Sequence, residues 1–137
     1  MFGRKRKVIG TWDELEDSLV GNFDAEPGSH DELRMIVKWK GVGSQEIRVS
    51  RAMVPDLGMV IYICAPIADG AGPAECRRAM ASAADFLLGG IAIEGSWLVL
   101  RSSIPYVAMP FPDIKWLIEQ TALGARSVRE DLEGAPQ

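Results

Sequence analysis

The hydrophobic and polar positions of the chain follow two periods, and each predicts a kind of element. Near the N-terminus, apolar residues recur at helical spacing: Trp12, Leu15 and Leu19. Thr11 and Glu14 stand where the partners of a helix capping box stand, so a first helix is expected to follow Thr11. That helix should end near Gly21. The polar segment 24–31 after it has the composition of a loop.

Three strand-like runs come next, and the third differs from the first two. The first alternates apolar and polar residues, with its apolar side formed by Leu33, Met35, Val37 and Trp39. The second does the same with Ile47, Val49 and Met53. A period of two predicts strands that bury one face each. The third run, 59–65, is apolar at every position, and such a strand normally has both faces covered.

The second half of the chain predicts two helices around a hairpin. Pro73 suits the first turn of a helix that Gly89-Gly90 would end. The apolar stripe of this helix is Cys76, Ala79, Met80, Ala83, Phe86 and Leu87. A hairpin of 91–93 and 96–101 follows, and its second strand is apolar on both sides. Pro112 opens a third helix that runs to Leu132 with apolar residues at helical spacing.

These elements predict an α+β fold with the order α-β-β-β-α-β-β-α. The short hairpin turns indicate a mainly antiparallel five-stranded sheet packed with helices. The 137 residues fit one domain, which we place over 11–133. Residues 1–10 are interpreted as a flexible basic tail.

The charge balance argues against nucleic acid as a partner of the folded part. The chain has 15 basic and 19 acidic residues, and four of the basic ones are Arg4 to Lys7. Without those four, eleven basic residues face nineteen acidic ones, a balance of −8 that repels phosphate backbones. The four tail charges lack an apolar anchor, so stable membrane insertion is not expected. Because neither a secretory signal nor a run of about 18 apolar residues is found, a cytoplasmic location is expected.

Residue types that carry chemistry are present but do not form a recognisable constellation. His30, the only histidine, lies in a polar segment without partners at fixed spacing. The two cysteines, Cys64 and Cys76, are interpreted as buried thiols, with a disulfide as the less favoured alternative. Two Gly-x-Gly segments lack the rest of a dinucleotide-binding fingerprint. We therefore expect no catalytic residue, no metal site and no cofactor.

Surplus apolar surface is the feature that points to a function. Both the run 59–65 and the strand 96–101 offer apolar side chains on two faces. The chain's own helices would cover both faces, or one face would form a dimer surface or a groove for a partner, and these interpretations can coexist. For such a surface, the sequence nominates Val60, Tyr62, Cys64, Trp97, Val99 and Met80.

The element order and one short motif resemble the YbjN-domain proteins of bacteria, which share the type III secretion chaperone-like fold. The motif consists of the hairpin glycine Gly95, Leu100-Arg101 at the end of an apolar strand, Ile104-Pro105, and a long C-terminal helix. The resemblance covers about residues 11 to 132. It implies an α+β domain that binds proteins without catalysis, often as a dimer. The segment from Tyr106 to Phe111 departs from the family pattern.

The expected function is therefore non-catalytic, chaperone-like binding of a protein or peptide segment, with a homodimer as the expected state. The alternative is a small-ligand-binding or enzymatic domain with a pocket near Gly70–Gly72 or Tyr106–Phe111. A third hypothesis gives the basic tail a role at a membrane or on nucleic acid.

Overall fold

The computed structural model describes residues 8–9, 11–29, 31–41, 43–86, 89–105 and 109–134. Within these ranges the elements are β1 (Val8–Ile9), α1 (Trp12–Asn22), β2 (Asp24–Ser29), β3 (Glu32–Trp39), β4 (Gly43–Val54), β5 (Gly58–Asp69), α2 (Pro73–Ser82), β6 (Gly90–Glu94), β7 (Trp97–Pro105), β8 (Met109–Pro110) and α3 (Phe111–Glu133).

The fold is built on a six-stranded antiparallel sheet. Its strand order is β2-β3-β4-β5-β7-β6, so β2 and β6 are the two edges. The strands follow chain order from β2 to β5. After α2, the strands β6 and β7 form a hairpin, and β7, not β6, pairs with β5. Two very short strands, β1 and β8, pair separately and place Val8 beside Pro110. The α+β class and the mainly antiparallel sheet agree with the sequence prediction.

The three helices pack on one face of this sheet. Alternate side chains of the central strands join buried residues of the helices in a continuous core, whose largest members include Leu15, Leu19, Leu33, Met35, Ile47, Ile61, Ile63, Leu98, Leu100, Ile114 and Ile118. Polar contacts also join the sheet to α3, since the hydroxyls of Ser102 on β7 and Thr121 on α3 form a hydrogen bond at 3.1 Å. Arg129 of α3 also donates to the buried Gln45 of β4.

The opposite face carries no helix of the described part of the chain, and we call it the open face. Strand alternation and register place on it Glu32, Arg34, Ile36, Lys38, Glu46, Arg48, Ser50, Val60, Tyr62, Cys64, Pro66, Gly90, Ala92, Glu94, Trp97, Val99, Arg101 and Ser103. Within the described residues, the helices cover only one of the two sides of the apolar strands.

The first helix confirms its predicted start. The backbone N–H of Glu14 donates to Thr11 Oγ1 at 3.1 Å, as an N-cap requires. Trp12, Leu15 and Leu19 are buried, which is the stripe that the spacing predicts.

The sheet has six strands, so the prediction of five was wrong by one. The additional strand is β2, which the sequence analysis interpreted as a polar loop. An edge strand packs little apolar surface, and Ala25 is the β2 residue that packs against the core. Its register also shifts between Pro27 and Ser29. With neither alternation nor an apolar run, β2 gives no strand signal in the sequence.

Several other boundaries differ from the sequence prediction. The strands expected over 59–65 and 96–101 extend to Asp69 and Pro105. Helix α2 ends at Ser82 instead of near Gly89, and a turn then brings Phe86 against the core. Helix α3 begins one residue earlier than expected, at Phe111. Val8–Ile9, assigned to the tail, form the strand β1. Residues 1–7, with the basic cluster, lie outside the described residues, as does Leu87.

Candidate functional site

Five of the six residues nominated from the sequence lie together on the open face. In the β5–β7 ladder, Tyr62 stands opposite Ser103 and Cys64 opposite Arg101. Antiparallel partners project to the same side, so these positions share a face with the remaining nominated strand residues, Val60, Trp97 and Val99. Met80 lies apart from them, on α2. Whether these residues bind a partner stays a prediction.

The five residues form an apolar floor with two taller aromatic side chains. Val60, Cys64 and Val99 are buried even though no described helix lies over them. Trp97 is 43% exposed and Tyr62 is partly exposed. A partner that approached this face would therefore meet the aromatic rings and the neighbouring charged side chains before the floor.

An ion pair crosses the open face above the floor. Arg48 Nη2 lies 2.9 Å from Glu94 Oε2, although β5 and β7 separate their two strands in the sheet. The same guanidinium donates to Cys64 Sγ at 3.4 Å, and the thiol donates to Glu94 at 3.6 Å. This three-residue cluster explains why the Cys64 side chain is covered.

A shallow groove runs beside this ion pair. Its volume is about 250 Å³, and it is lined by Arg34, Glu46, Arg48, Pro66, Glu94 and Trp97. The lining thus combines four charged side chains with an indole and a proline ring. Such a lining suits a segment that carries both polar and apolar side chains.

A second cation, Arg101, lies over an aromatic ring of the same face. Its guanidinium carbon is 4.0 Å from the centroid of the Tyr62 ring, within the range of a cation–π contact. In the sequence, Arg101 stands out only as part of a family motif, and it is not among the residues nominated for the site. The contact between Arg101 and Tyr62 depends on the pairing of β5 with β7, and the sequence pattern does not predict that pairing because α2 and β6 lie between the two strands in the chain.

No protein-family model matches the chain. A search of curated proteins also gives no match. Among solved structures, the chain is similar to one described as "Crystal structure of YbjN, a putative transcription regulator from E. coli", with a TM-score of 0.54 and 15% sequence identity. The similarity covers 90% of this chain and 93% of that one.

The chain has a YbjN-like fold. This agrees with the resemblance seen in the sequence, and the motif behind it now has a place in the structure. Gly95 forms the β6–β7 turn with a φ of +60°. Arg101 and Ile104-Pro105 lie along β7, opposite β5, and α3 is the long closing helix.

Two large apolar side chains outside the open face are exposed. Ile93, on the helix side of β6, is 66% exposed, and Met80 on α2 is 63% exposed. Ser82 of α2 bonds to Asp131 of α3, and residues two apart on a helix point in nearly opposite directions, so Met80 faces away from α3. Met80 was nominated for a protein-binding or dimer surface, and that role stays a prediction.

The segments named for the alternative function are described only in part. Gly70 is bound by its N–H to the Ser96 carbonyl at 2.8 Å, and Gly72 precedes α2 without a side-chain cap. Of the segment Tyr106–Phe111, the residues 106–108 lie outside the described ranges, as does His30. The ligand-binding alternative therefore stays a hypothesis.

Neither a metal-binding cluster nor a membrane-spanning helix is found among the described residues. No group of three or more His, Cys, Asp and Glu residues among them could hold a metal ion. None of the helices found there is long and apolar enough to cross a membrane.

Both cysteines are free, and Cys64 has an unusual environment. The pKa of the Cys64 thiol is raised from 9.0 to about 11, chiefly by burial. The nearby Glu94 carboxylate also raises this pKa, by more than the Arg48 guanidinium lowers it. The folded chain therefore keeps this proton at a pH where the unfolded chain has lost it. The stabilisation from the neutral thiol is complete below about pH 9 and is lost as the pH rises towards 11.

This pKa predicts slow alkylation of Cys64. In the Cys76→Ser variant, we expect iodoacetamide at pH 8 to react about 100-fold more slowly with the folded chain than with the urea-unfolded chain, since only the thiolate reacts. The rate in the folded chain should rise steeply above pH 10. Mass spectrometry of quenched samples measures both rates. Equal rates at pH 8 would contradict the buried thiol.

Proposed function

We propose that this chain is a non-catalytic protein-binding domain that receives an extended segment of a partner protein on its open face. The observation that carries the proposal is the placement of the three helices on one side of the sheet. This leaves Tyr62 and Trp97 partly exposed above an apolar floor. Tyrosine, tryptophan and arginine side chains around a desolvated centre are the usual composition of a binding hot spot.

We also propose that two copies of the chain associate through their β6 edges. In the described part of the chain, β6 pairs only with β7, so its outer edge offers unpaired backbone groups. The Ile93 side chain on β6 is 66% exposed and would meet the second copy. The other edge, β2, is a poorer template, because it contains Pro27, which has no N–H, and the charged residues Asp24 and Glu26.

The proposal does not extend to nucleic acid. The YbjN structure is described as that of a putative transcription regulator, and regulators often act on nucleic acid. However, the body of this chain carries a formal charge of −8 once the four basic residues Arg4 to Lys7 are set aside. A surface of that sign repels phosphate backbones.

Position-specific cross-linking in the native host tests the binding face. A photoreactive phenylalanine analogue replaces Trp97 on the open face in one variant and Trp116 on the outer side of α3 in the other. Trp116 is a matched control for Trp97, because the two side chains are similarly exposed, at 53% and 43%. We expect light-dependent adducts with a partner protein from position 97 and none from position 116. Identical adducts from both positions, or none from position 97, would contradict the proposed face.

A further inference from the structure

The cations of the open face differ in whether a carboxylate neutralises them. Arg34 lies 3.6 Å from Glu32, Lys38 lies 3.0 Å from Asp24, and Arg48 lies 2.9 Å from Glu94. Arg101 has no carboxylate partner among the described residues. Among the described strand residues of this face, the cation without a carboxylate partner therefore lies in the apolar half, between the strand positions of Val99 and Ser103.

An aromatic ring holds the Arg101 guanidinium in place, and one of the side chain's hydrogen-bond donors has no acceptor in the described part of the chain. Its guanidinium stacks on the Tyr62 ring at 4.0 Å. Its Nε atom is buried and has no hydrogen-bond partner within the ranges that the structure describes. A buried donor without an acceptor is unfavourable, so an incoming acceptor at this position would relieve that cost. A guanidinium fixed against a ring loses less side-chain freedom on binding than a mobile one.

The sheet leaves an approach to Arg101 on the side of β6. The residue paired with Arg101 is Gly90, which has no side chain. A Cβ atom placed on Gly90 would have nothing within 4 Å. The β6 position paired with Arg101 is thus unfilled, and a larger residue at position 90 has room there.

We propose that Arg101 binds a side-chain carboxylate of the partner segment. The geometry also sets a spacing: Trp97 and Arg101 lie four residues apart on the same side of β7, which is roughly 13 Å in an extended strand. A segment that runs along β7 would therefore carry an apolar residue about four positions from its aspartate or glutamate. This inference rests on the proposed function and specifies the chemistry of the partner.

A selection from a random-sequence peptide library tests the inference without a known partner. The library is displayed with its C-termini fused to the carrier and is selected on the immobilised full chain. We expect enrichment of peptides with one Asp or Glu and an apolar residue at about the stated spacing. Failure to enrich any peptide would overturn the proposed function itself. Enrichment without an acidic preference would overturn only the role of Arg101.

Synthetic versions of a selected peptide then separate the possible sources of the anion. Replacing the acidic residue by its amide should weaken binding about 10- to 100-fold in a fluorescence-polarisation titration, the range for a lost charge-assisted bond. Amidation of the peptide C-terminus should change nothing. If amidation abolishes binding, or if only a phosphorylated peptide binds, a side-chain carboxylate is not the ligand and the proposal fails.

Variants of the chain complete the test. In Arg101→Gln, the acidic and amide peptides should bind equally. Gly90→Leu, which keeps Arg101 and Tyr62, should weaken the acidic peptide about tenfold or more by filling the approach. The matched control is Arg126→Gln on α3, which removes a cation that Glu130 already neutralises away from the open face, and it should bind as the parent does. An unchanged preference for the acidic peptide in both Arg101→Gln and Gly90→Leu would overturn the assignment.

Discussion

Replacing Gly124 with leucine should lower the free energy of unfolding by about 3 kcal/mol, at the upper end of what overpacking costs. Gly124 lies in the middle of α3, where helix α3 approaches strand β7 and the turn after α2. A Cβ atom there would stand 2.7 Å from Leu100 Cδ2 and 3.1 Å from Phe86 Cε2. Leu100 is fully buried in the core and has little room to move aside. Further side-chain atoms would have to separate the helix from the sheet.

A second helical glycine supplies the control for this prediction. Gly21 lies in α1, and a Cβ atom there would have nothing within 4 Å. Gly21→Leu should therefore leave stability unchanged or raise it by up to about 1 kcal/mol, because leucine favours a helix more than glycine does. Urea titrations followed by circular dichroism compare the two variants with the parent chain. Equal midpoints for Gly124→Leu and the parent would show that the contact at Gly124 is not tight.

The contrast between these glycines shows what sequence patterns can predict. The period of apolar residues located α3 and its buried side, because that information lies within one element. Nothing in the same pattern distinguishes Gly124 from Gly21. The difference comes from Leu100 and Phe86, which the fold brings to α3 from other segments. Local periodicity therefore predicts which side of an element is buried but not how closely its neighbours approach.

The candidate site illustrates the same limit. Alternation along single strands was enough to nominate Val60, Tyr62, Cys64, Trp97 and Val99, and register places all five on one face. The cover over Cys64 depends on Arg48 and Glu94, whose strands are not even neighbours in the sheet. The sequence offered no basis for pairing those two residues.

The extent of helix α2 shows a related limit. The apolar stripe predicted a helix that continued to Phe86 and beyond, with Met80 within the stripe. Because α2 ends at Ser82, Phe86 reaches the core through a turn, and Met80 is exposed to solvent on α2. The stripe alone could not show where the helix ends.

The dimer proposal predicts a molecular mass of twice 14.9 kDa in solution, and the variant Ile93→Asp should reduce it to 14.9 kDa. An antiparallel pairing of two β6 strands centred on Ala92 would set Ile91 of one copy opposite Ile93 of the other. Glu94 would face Gly90 instead of another carboxylate. A new carboxylate at position 93 would enter an apolar contact twice in each dimer without a partner, which costs several kcal/mol per group.

Leu57→Asp provides a control of equal exposure for the dimer test. Leu57 and Ile93 are both 66% exposed, but Leu57 lies in the β4–β5 turn, away from β6. Light scattering at several concentrations should find Leu57→Asp dimeric and Ile93→Asp monomeric, with parental circular dichroism in both. A monomeric parent, or dissociation by Leu57→Asp alone, would rule out the β6 contact. Since the open face is a separate surface of the sheet, monomeric Ile93→Asp should still give the cross-link from position 97.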